Sequence, residues 1–77
     1  MEERIKAVMA DILETEIGSI DINTSTNNVE NWDSLKQVNL ILALEEEFNV
    51  KFSEAQMFGM NSYKTICDTL TKLTSGN

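Results

Sequence analysis

Asn31-Trp32-Asp33-Ser34-Leu35-Lys36-Gln37-Val38 decides the fold, because a polar loop ends in this stretch and the longest apolar-patterned segment of the chain begins there. Ser34 stands in the first turn of the helix that this pattern predicts. Backbone N–H groups in a first helical turn have no intrahelical partner, and the aligned peptide dipoles leave partial positive charge there. An anionic group is therefore favoured beside Ser34.

The spacing allows two interpretations of Ser34. Ser34-x-x-Gln37 is a capping-box pattern ahead of an apolar run, which makes Ser34 the N-cap. Alternatively, Asp33 caps the helix and Ser34, one residue further in, points its hydroxyl at solvent. Spacing alone favours the capping role, because capping serines far outnumber modified ones, but it leaves both interpretations open.

The residues around Ser34 resemble those of one family. Asp33-Ser34-Leu35, followed by Val38, Leu40 and Ala43-Leu44-Glu45-Glu46-Glu47-Phe48, is similar to the acyl carrier protein family. In that family the serine of Asp-Ser-Leu carries 4′-phosphopantetheine, joined through a phosphodiester by a dedicated phosphopantetheinyl transferase, and acyl groups are bound to its terminal thiol. The resemblance implies that Ser34 is the attachment site, that Asp33 and Leu35 flank it, and that the protein is not an enzyme.

Length and charge restrict the class of protein and its partners. The 77 residues are expected to form one domain, spanning residues 1–77 and burying about 60 % of the surface that the unfolded chain exposes. The 13 acidic and 6 basic side chains give a net charge of −7, which argues against nucleic acid and anionic membranes and favours partners with basic patches. With no apolar run long enough to span a bilayer and no signal-peptide pattern, we expect a cytoplasmic protein.

The composition gives little support to metal or catalytic chemistry. Cys67 is the only cysteine and there is no histidine, so neither an internal disulfide nor a Cys/His zinc site can form. The segment Asp21–Trp32 begins like a calcium loop, but Thr26 replaces the glycine at position six and Trp32 the glutamate at position twelve. We therefore expect no metal site and no catalytic site. Trp32 is instead expected to be buried, with a hydrogen-bond partner for its indole N–H.

Apolar side chains recur at helical spacing in four segments, which predict helices at residues 2–16, 34–48, 53–59 and 65–74. Ser53-x-x-Gln56 and Thr65-x-x-Asp68 are capping patterns for the last two helices. The expected fold class is all-α, a four-helix bundle of the acyl-carrier type with a long first loop and a short third helix. Five apolar residues are expected to anchor the long loop to the core: Ile17, Ile20, Ile22, Val29 and Trp32.

The second predicted helix has an unusually wide apolar arc. Leu35, Val38 and Leu42 lie on a strip beside its core-facing side. We expect Val38 to be buried against the loop or another helix, and Leu35, followed by Leu42, to stay partly exposed for partner contact. The core-facing residues are Leu40, Ile41, Leu44 and Phe48. Met57, Phe58 and Met60 are expected in the core, and the resemblance implies that some of them line a cleft between helices two and three that shelters an acyl chain.

Related carriers present acidic residues of this helix to basic patches on their enzymes. Lys36 and Asn39 occupy positions that are often carboxylates in carriers of fatty acid synthesis, which favours a specialised carrier for one dedicated pathway. The residues that we expect to contact partners are Leu35, Lys36, Asn39, Leu42, Glu45 and Glu46.

We therefore interpret the chain as a monomeric carrier, a phosphoprotein of fatty acid biosynthesis or related lipid metabolism. Its phosphopantetheine would tether an acyl intermediate as a thioester and deliver it to partner enzymes. Two alternatives stay open. The first is an aminoacyl or peptidyl carrier, including the D-alanyl type, with which the form Trp32-Asp33-Ser34-Leu35 is compatible. The second is an acidic helical adaptor that binds proteins through its second helix and is never modified.

Overall fold

The computed structural model describes residues 1–75, and within them the architecture is all-α. Helices α1 (Glu2–Leu13), α2 (Ser34–Phe48), α3 (Glu54–Gly59) and α4 (Tyr63–Thr74) follow one another along the chain. A 3₁₀ turn at Ile17–Ser19 interrupts the long first loop. The predicted fold class is thus confirmed. The predicted domain of residues 1–77 includes residues 76 and 77, which lie outside the described part, and its bounds stay a prediction.

Helix α1 ends three residues earlier than predicted, at Leu13. Glu14 adopts a left-handed conformation, with φ 57° and ψ 47°, and its N–H bonds back to the carbonyl groups of Ala10 and Asp11. The same left-handed ending, at Asn49 with φ 55°, closes α2 where the sequence predicts. Asparagine adopts this conformation more readily than glutamate, which explains why only the second ending carries a sequence signal.

The cap of α3 is confirmed, and the predicted cap of α4 is wrong. In α3, Ser53 Oγ accepts from the Gln56 N–H at 3.1 Å, and Gln56 Oε1 accepts from the Ser53 N–H at 2.8 Å. Helix α4 begins at Tyr63, because Ser62 is its N-cap and accepts from the Thr65 N–H at 3.1 Å. Thr65 completes this box as the third helical residue and is not itself the cap.

The core lies where α1 packs against α2 and α4. Most of its helical residues come from the predicted stripes of these three helices, and residues of the connecting segments complete it: Ile20, Trp32, Phe52 and Met60. Phe48 is only partly buried, and the Arg4 guanidinium lies 4.6 Å from the centroid of its ring. The most deeply buried helical side chains are Ile5, Met9, Leu13, Leu40, Leu44, Ile66 and Leu70.

The long loop is held by fewer apolar anchors than predicted. Ile20 and Trp32 are buried and Val29 is partly buried, but Ile17 and Ile22 are 46 % and 60 % exposed, so these two predictions are wrong. Polar contacts take their place. Buried Thr24 accepts from the Asp21 N–H at 2.9 Å through its side chain and from the Tyr63 N–H at 2.9 Å through its carbonyl.

Helix α2 is capped by Asp33. The Asp33 backbone is extended, and its Oδ1 accepts from the Lys36 N–H at 2.9 Å. Ser34 is the first helical residue. The interpretation of Ser34 as the N-cap is therefore wrong. The capping box with Gln37 does not form, because the Gln37 N–H donates to the Asp33 carbonyl at 2.9 Å and the Gln37 side chain bonds elsewhere.

This assignment predicts different effects for two neighbouring alanine substitutions. Asp33→Ala removes the cap and should cost about 1 kcal/mol, which lowers the melting temperature of a domain of this size by roughly 4–8 °C. Ser34→Ala removes no hydrogen bond and should leave the melting temperature nearly unchanged. Thermal unfolding of both variants, followed by circular dichroism, measures the difference. A larger loss for Ser34→Ala than for Asp33→Ala would contradict the assignment.

Candidate functional site

The Ser34 hydroxyl is exposed at the N-terminus of α2. Within residues 1–75, the Ser34 side chain takes part in no hydrogen bond, because Asp33 provides the cap. The N-terminus of the 15-residue helix places the positive end of the helix dipole beside this hydroxyl. The position therefore combines a free hydroxyl with surroundings that favour an attached phosphate.

A surface groove of about 490 Å³ begins at Ser34 and runs between α2 and α3. Gln37 and Val38 form its wall on α2, and Met57 and Phe58 form its wall on α3. Met60 is fully buried in the core, as expected, and does not line the groove. The groove is thus open to solvent, with an apolar outer part beside the Ser34 hydroxyl.

Gln37 joins the groove walls through its side-chain amide. Its Oε1 accepts from the Trp32 indole N–H at 2.5 Å, and its Nε2 donates to the Met60 carbonyl at 2.9 Å. Trp32 is 5 % exposed, so the prediction of a buried anchor with a partnered indole is confirmed. The sequence pattern predicted only a capping box for Gln37. The available signal was a buried indole that needed an acceptor, with an amide side chain five residues beyond it.

Exposed apolar side chains flank Ser34 and the groove. Leu35 and Leu42 are 69 % and 59 % exposed, as expected. Val38 is 55 % exposed, so its predicted burial is wrong: it lines the open groove between α2 and α3. Phe58 on α3 is 84 % exposed, so its expected place in the core is wrong, although it does line the groove.

The polar residues of α2 have different surroundings. Lys36 Nζ forms an ion pair with Glu14 Oε1 at 3.2 Å, at the end of α1, whereas Asn39 is exposed. Glu45 is partly buried and accepts from the Phe52 N–H at 2.9 Å. Glu46 is exposed. The candidate partner-contact residues therefore do not form one uniform surface.

The third glutamate of the acidic run is also engaged. Glu47 Oε2 accepts from Arg4 Nε at 3.0 Å, and the Glu47 carbonyl accepts from Arg4 Nη2 at 2.8 Å. Arg4 thereby bonds one of the last carbonyl groups of α2 and neutralises charge at the negative end of its dipole. Of the three glutamates, Glu46 is thus the one most available to a partner.

Cys67 lies on α4, away from Ser34 and the groove. Burial raises the pKa of the Cys67 thiol and of the neighbouring Tyr63 hydroxyl. A raised pKa keeps the thiol protonated at neutral pH, which is the opposite of what a nucleophilic cysteine requires. This is consistent with the packing role expected for Cys67.

The described part of the chain, residues 1–75, contains no group of three or more acidic, cysteine or histidine side chains placed to hold a metal ion. None of the helices in this part of the chain is long and apolar enough to cross a membrane.

Comparison with known proteins identifies the family. Residues 3–70 match the family model described as the phosphopantetheine attachment site. The acyl carrier protein of Thermosynechococcus vestitus is 37 % identical over 68 residues, which cover 88 % of this chain and 80 % of that protein. An acyl carrier protein of Buchnera aphidicola from Acyrthosiphon pisum is 33 % identical over 72 residues, covering 94 % of this chain and 90 % of that protein.

A solved structure shows the same fold. A candidate acyl carrier protein from Mycobacterium tuberculosis superposes with a TM-score of 0.82 and 28 % identity, covering 92 % of this chain and 95 % of that one. The family model, the two relatives and this structure agree on one kind of protein, a carrier and not an enzyme, with 4′-phosphopantetheine as its cofactor. The chain belongs to the acyl carrier protein family.

Proposed function

We propose that Ser34 carries 4′-phosphopantetheine and that the protein delivers a cargo bound to it to partner enzymes. The observation that carries this proposal is the exposed Ser34 hydroxyl, which makes no hydrogen bond within the described residues and lies at the N-terminus of α2. When bound, the group supplies a terminal thiol that holds the cargo as a thioester.

The surrounding residues support modification of Ser34. Asp33 caps α2 through the Lys36 N–H, so the helix keeps its cap when Ser34 is modified. In that transfer the Ser34 oxygen would lose its proton and bond to the phosphorus of coenzyme A that bears the pantetheine, while the pyrophosphate P–O bond breaks and adenosine 3′,5′-bisphosphate leaves. The first turn of α2 then stabilises the negative phosphodiester. The groove that starts at Ser34 offers Val38, Met57 and Phe58 as apolar contacts for the attached arm.

The partner surface that we propose centres on Leu35, Leu42 and Glu46 of α2. These side chains are exposed, and both leucines extend the apolar surface away from Ser34. Exposed apolar side chains can bury area against a partner, and a nearby carboxylate can attract its basic patch. The partners would be a phosphopantetheinyl transferase and the enzymes that load and use the cargo. Lys36 and Glu45 would contribute less, because both are engaged within the chain. Asn39 would also contribute less, because it carries no charge.

For the cargo, we propose a specialised acyl group and not the general intermediates of fatty acid synthesis. Lys36 and Asn39 support this, because they remove negative charge from α2 where carriers of fatty acid synthesis often have carboxylates. An aminoacyl or D-alanyl cargo is the second candidate, supported by the form Trp32-Asp33-Ser34-Leu35. Family membership favours either carrier over the unmodified adaptor. A cytoplasmic location and a monomeric state stay predictions.

The attachment site is tested by intact mass. The protein is coexpressed with a phosphopantetheinyl transferase of broad specificity, and we expect the wild type to gain one phosphopantetheine unit. Ser34→Ala should gain none, because a phosphodiester requires the hydroxyl. Ser19→Ala, which alters another exposed serine, is the matched control and should be modified fully.

Two outcomes would contradict the proposal. A full adduct on the Ser34→Ala protein would exclude Ser34 as the attachment site. A wild type that stays unmodified in cells that modify a known carrier would favour the adaptor.

The partner surface is tested by charge reversal. Glu46→Lys should lower kcat/KM for phosphopantetheine transfer roughly 3–10-fold at low ionic strength, and less at high salt, because an exposed charge mainly steers association. Its melting temperature should change little. Glu54→Lys reverses an exposed charge on α3 and is the control. Equal effects of the two substitutions, or an effect of Glu46→Lys that is independent of salt, would show that Glu46 has no special role.

A further inference from the structure

Gln37 closes the inner end of the groove that begins at Ser34. Its side-chain amide lies between α2, the end of the long loop and the end of α3, and it bonds to Trp32 and to the Met60 carbonyl. Nε2 also lies 3.5 Å from the Met57 carbonyl. One neutral side chain thus bridges three parts of the structure, one helical turn away from Ser34.

The two groups that Gln37 satisfies are poorly placed to find other partners. Trp32 is 5 % exposed, and Met60, the residue that ends α3, is fully buried. A buried polar group that loses its hydrogen bond keeps the full cost of its desolvation. Displacing Gln37 would therefore leave a donor and an acceptor unpaired in apolar surroundings.

We propose that Gln37 determines which cargo this carrier accepts. The cargo is a short or polar acyl group that stays at the groove surface, and not a long hydrocarbon chain buried between α2 and α3. This inference rests on the proposed function, because it requires the cargo to be attached through Ser34.

The argument compares burial of hydrocarbon with loss of hydrogen bonds. A chain that enters from Ser34 and passes between the helices meets the Gln37 amide before it reaches the core residues Leu40 and Met60, which are already fully packed. Its first buried carbons must break the bonds to Trp32 and Met60, and hydrocarbon replaces neither. A hydroxyl, amine or amide group of a cargo can instead bond to the same polar wall.

The outer part of the groove remains suitable for a few carbons. Val38, Met57 and Phe58 line it, and Val38 and Phe58 are exposed. A short acyl group can lie against these side chains without disturbing Gln37. The proposed limit therefore concerns the depth to which a cargo enters and not whether apolar atoms touch the protein.

The test compares acyl groups of different length on the same protein. The unmodified protein is loaded by a broad-specificity transferase from acetyl-, 3-hydroxybutyryl- or octanoyl-coenzyme A, and intact mass verifies each product. We expect the acetyl and octanoyl forms of the wild type to melt within about 2 °C of each other, because the longer chain stays outside the fold. Fluorescence of Trp32, the only tryptophan, should also be the same in both forms.

Substitution of Gln37 should change this result. In Gln37→Met the groove wall becomes apolar, and we expect the octanoyl form to melt roughly 5 °C or more above the acetyl form. Asn23→Leu makes a similar exchange of an amide for an apolar side chain at an exposed position of the long loop, outside the groove, and should behave as the wild type does. If Gln37→Met folds poorly, the double variant Trp32→Phe/Gln37→Met is used in its place, because it removes both the donor and the acceptor of the indole hydrogen bond.

The outcomes separate the two proposals. Absence of any adduct in the mass spectrum contradicts the assignment of Ser34. A loaded wild type whose melting temperature rises with chain length as much as that of the Gln37 variants overturns the role of Gln37. The same role is overturned if neither wild type nor variants respond to chain length, because Gln37 would then exclude nothing.

Discussion

The hydrogen bond from the Lys36 N–H to Asp33 Oδ1 is the interaction on which the rest of the structure depends. It fixes Ser34 as the first residue of α2, and with it the direction in which every later side chain of that helix points. It also releases the Ser34 hydroxyl from a capping role. A helix capped by the serine itself would have to lose its cap on modification, whereas this helix keeps its cap and presents the hydroxyl.

From that starting point α2 divides into faces with different roles. Leu40 and Leu44 pack into the core, and Leu35 and Leu42 remain exposed. The glutamates at positions 45–47 also differ in role, because two of them form contacts within the chain. Glu45 holds the connection to α3 through the Phe52 N–H, and Glu47 holds α1 through Arg4. Only part of the negative charge that the sequence displays is therefore available for attracting a partner.

Much of the fold could be predicted from periodicity, because packing of an apolar stripe against neighbouring helices is what stabilises a helix in a small domain. The errors occur where periodicity carries no information. Glu14 ends α1 in a left-handed conformation, Ser62 and not Thr65 caps α4, and Val38 stays exposed in the groove between α2 and α3. Each of these depends on a contact or a conformation that is decided only when the chain is folded.

The candidate site was predicted to a similar extent. Asp33, Ser34 and Leu35 lie together, as their adjacency in sequence requires, and Trp32 is buried as expected. The bridge formed by Gln37 joins positions 32, 37 and 60, and its link to Met60 spans 23 residues. No local pattern encodes such a link, since it depends on where α3 packs relative to α2.

The central claim is that the cap of α2 and the hydroxyl proposed for modification belong to different residues, Asp33 and Ser34. Amide hydrogen exchange at Lys36, measured by NMR on the protein before and after phosphopantetheine attachment, tests this claim most directly. The account predicts the same protection of the Lys36 amide in both forms and a loss of protection in Asp33→Ala. A Lys36 amide that loses its protection when phosphopantetheine is attached would contradict it.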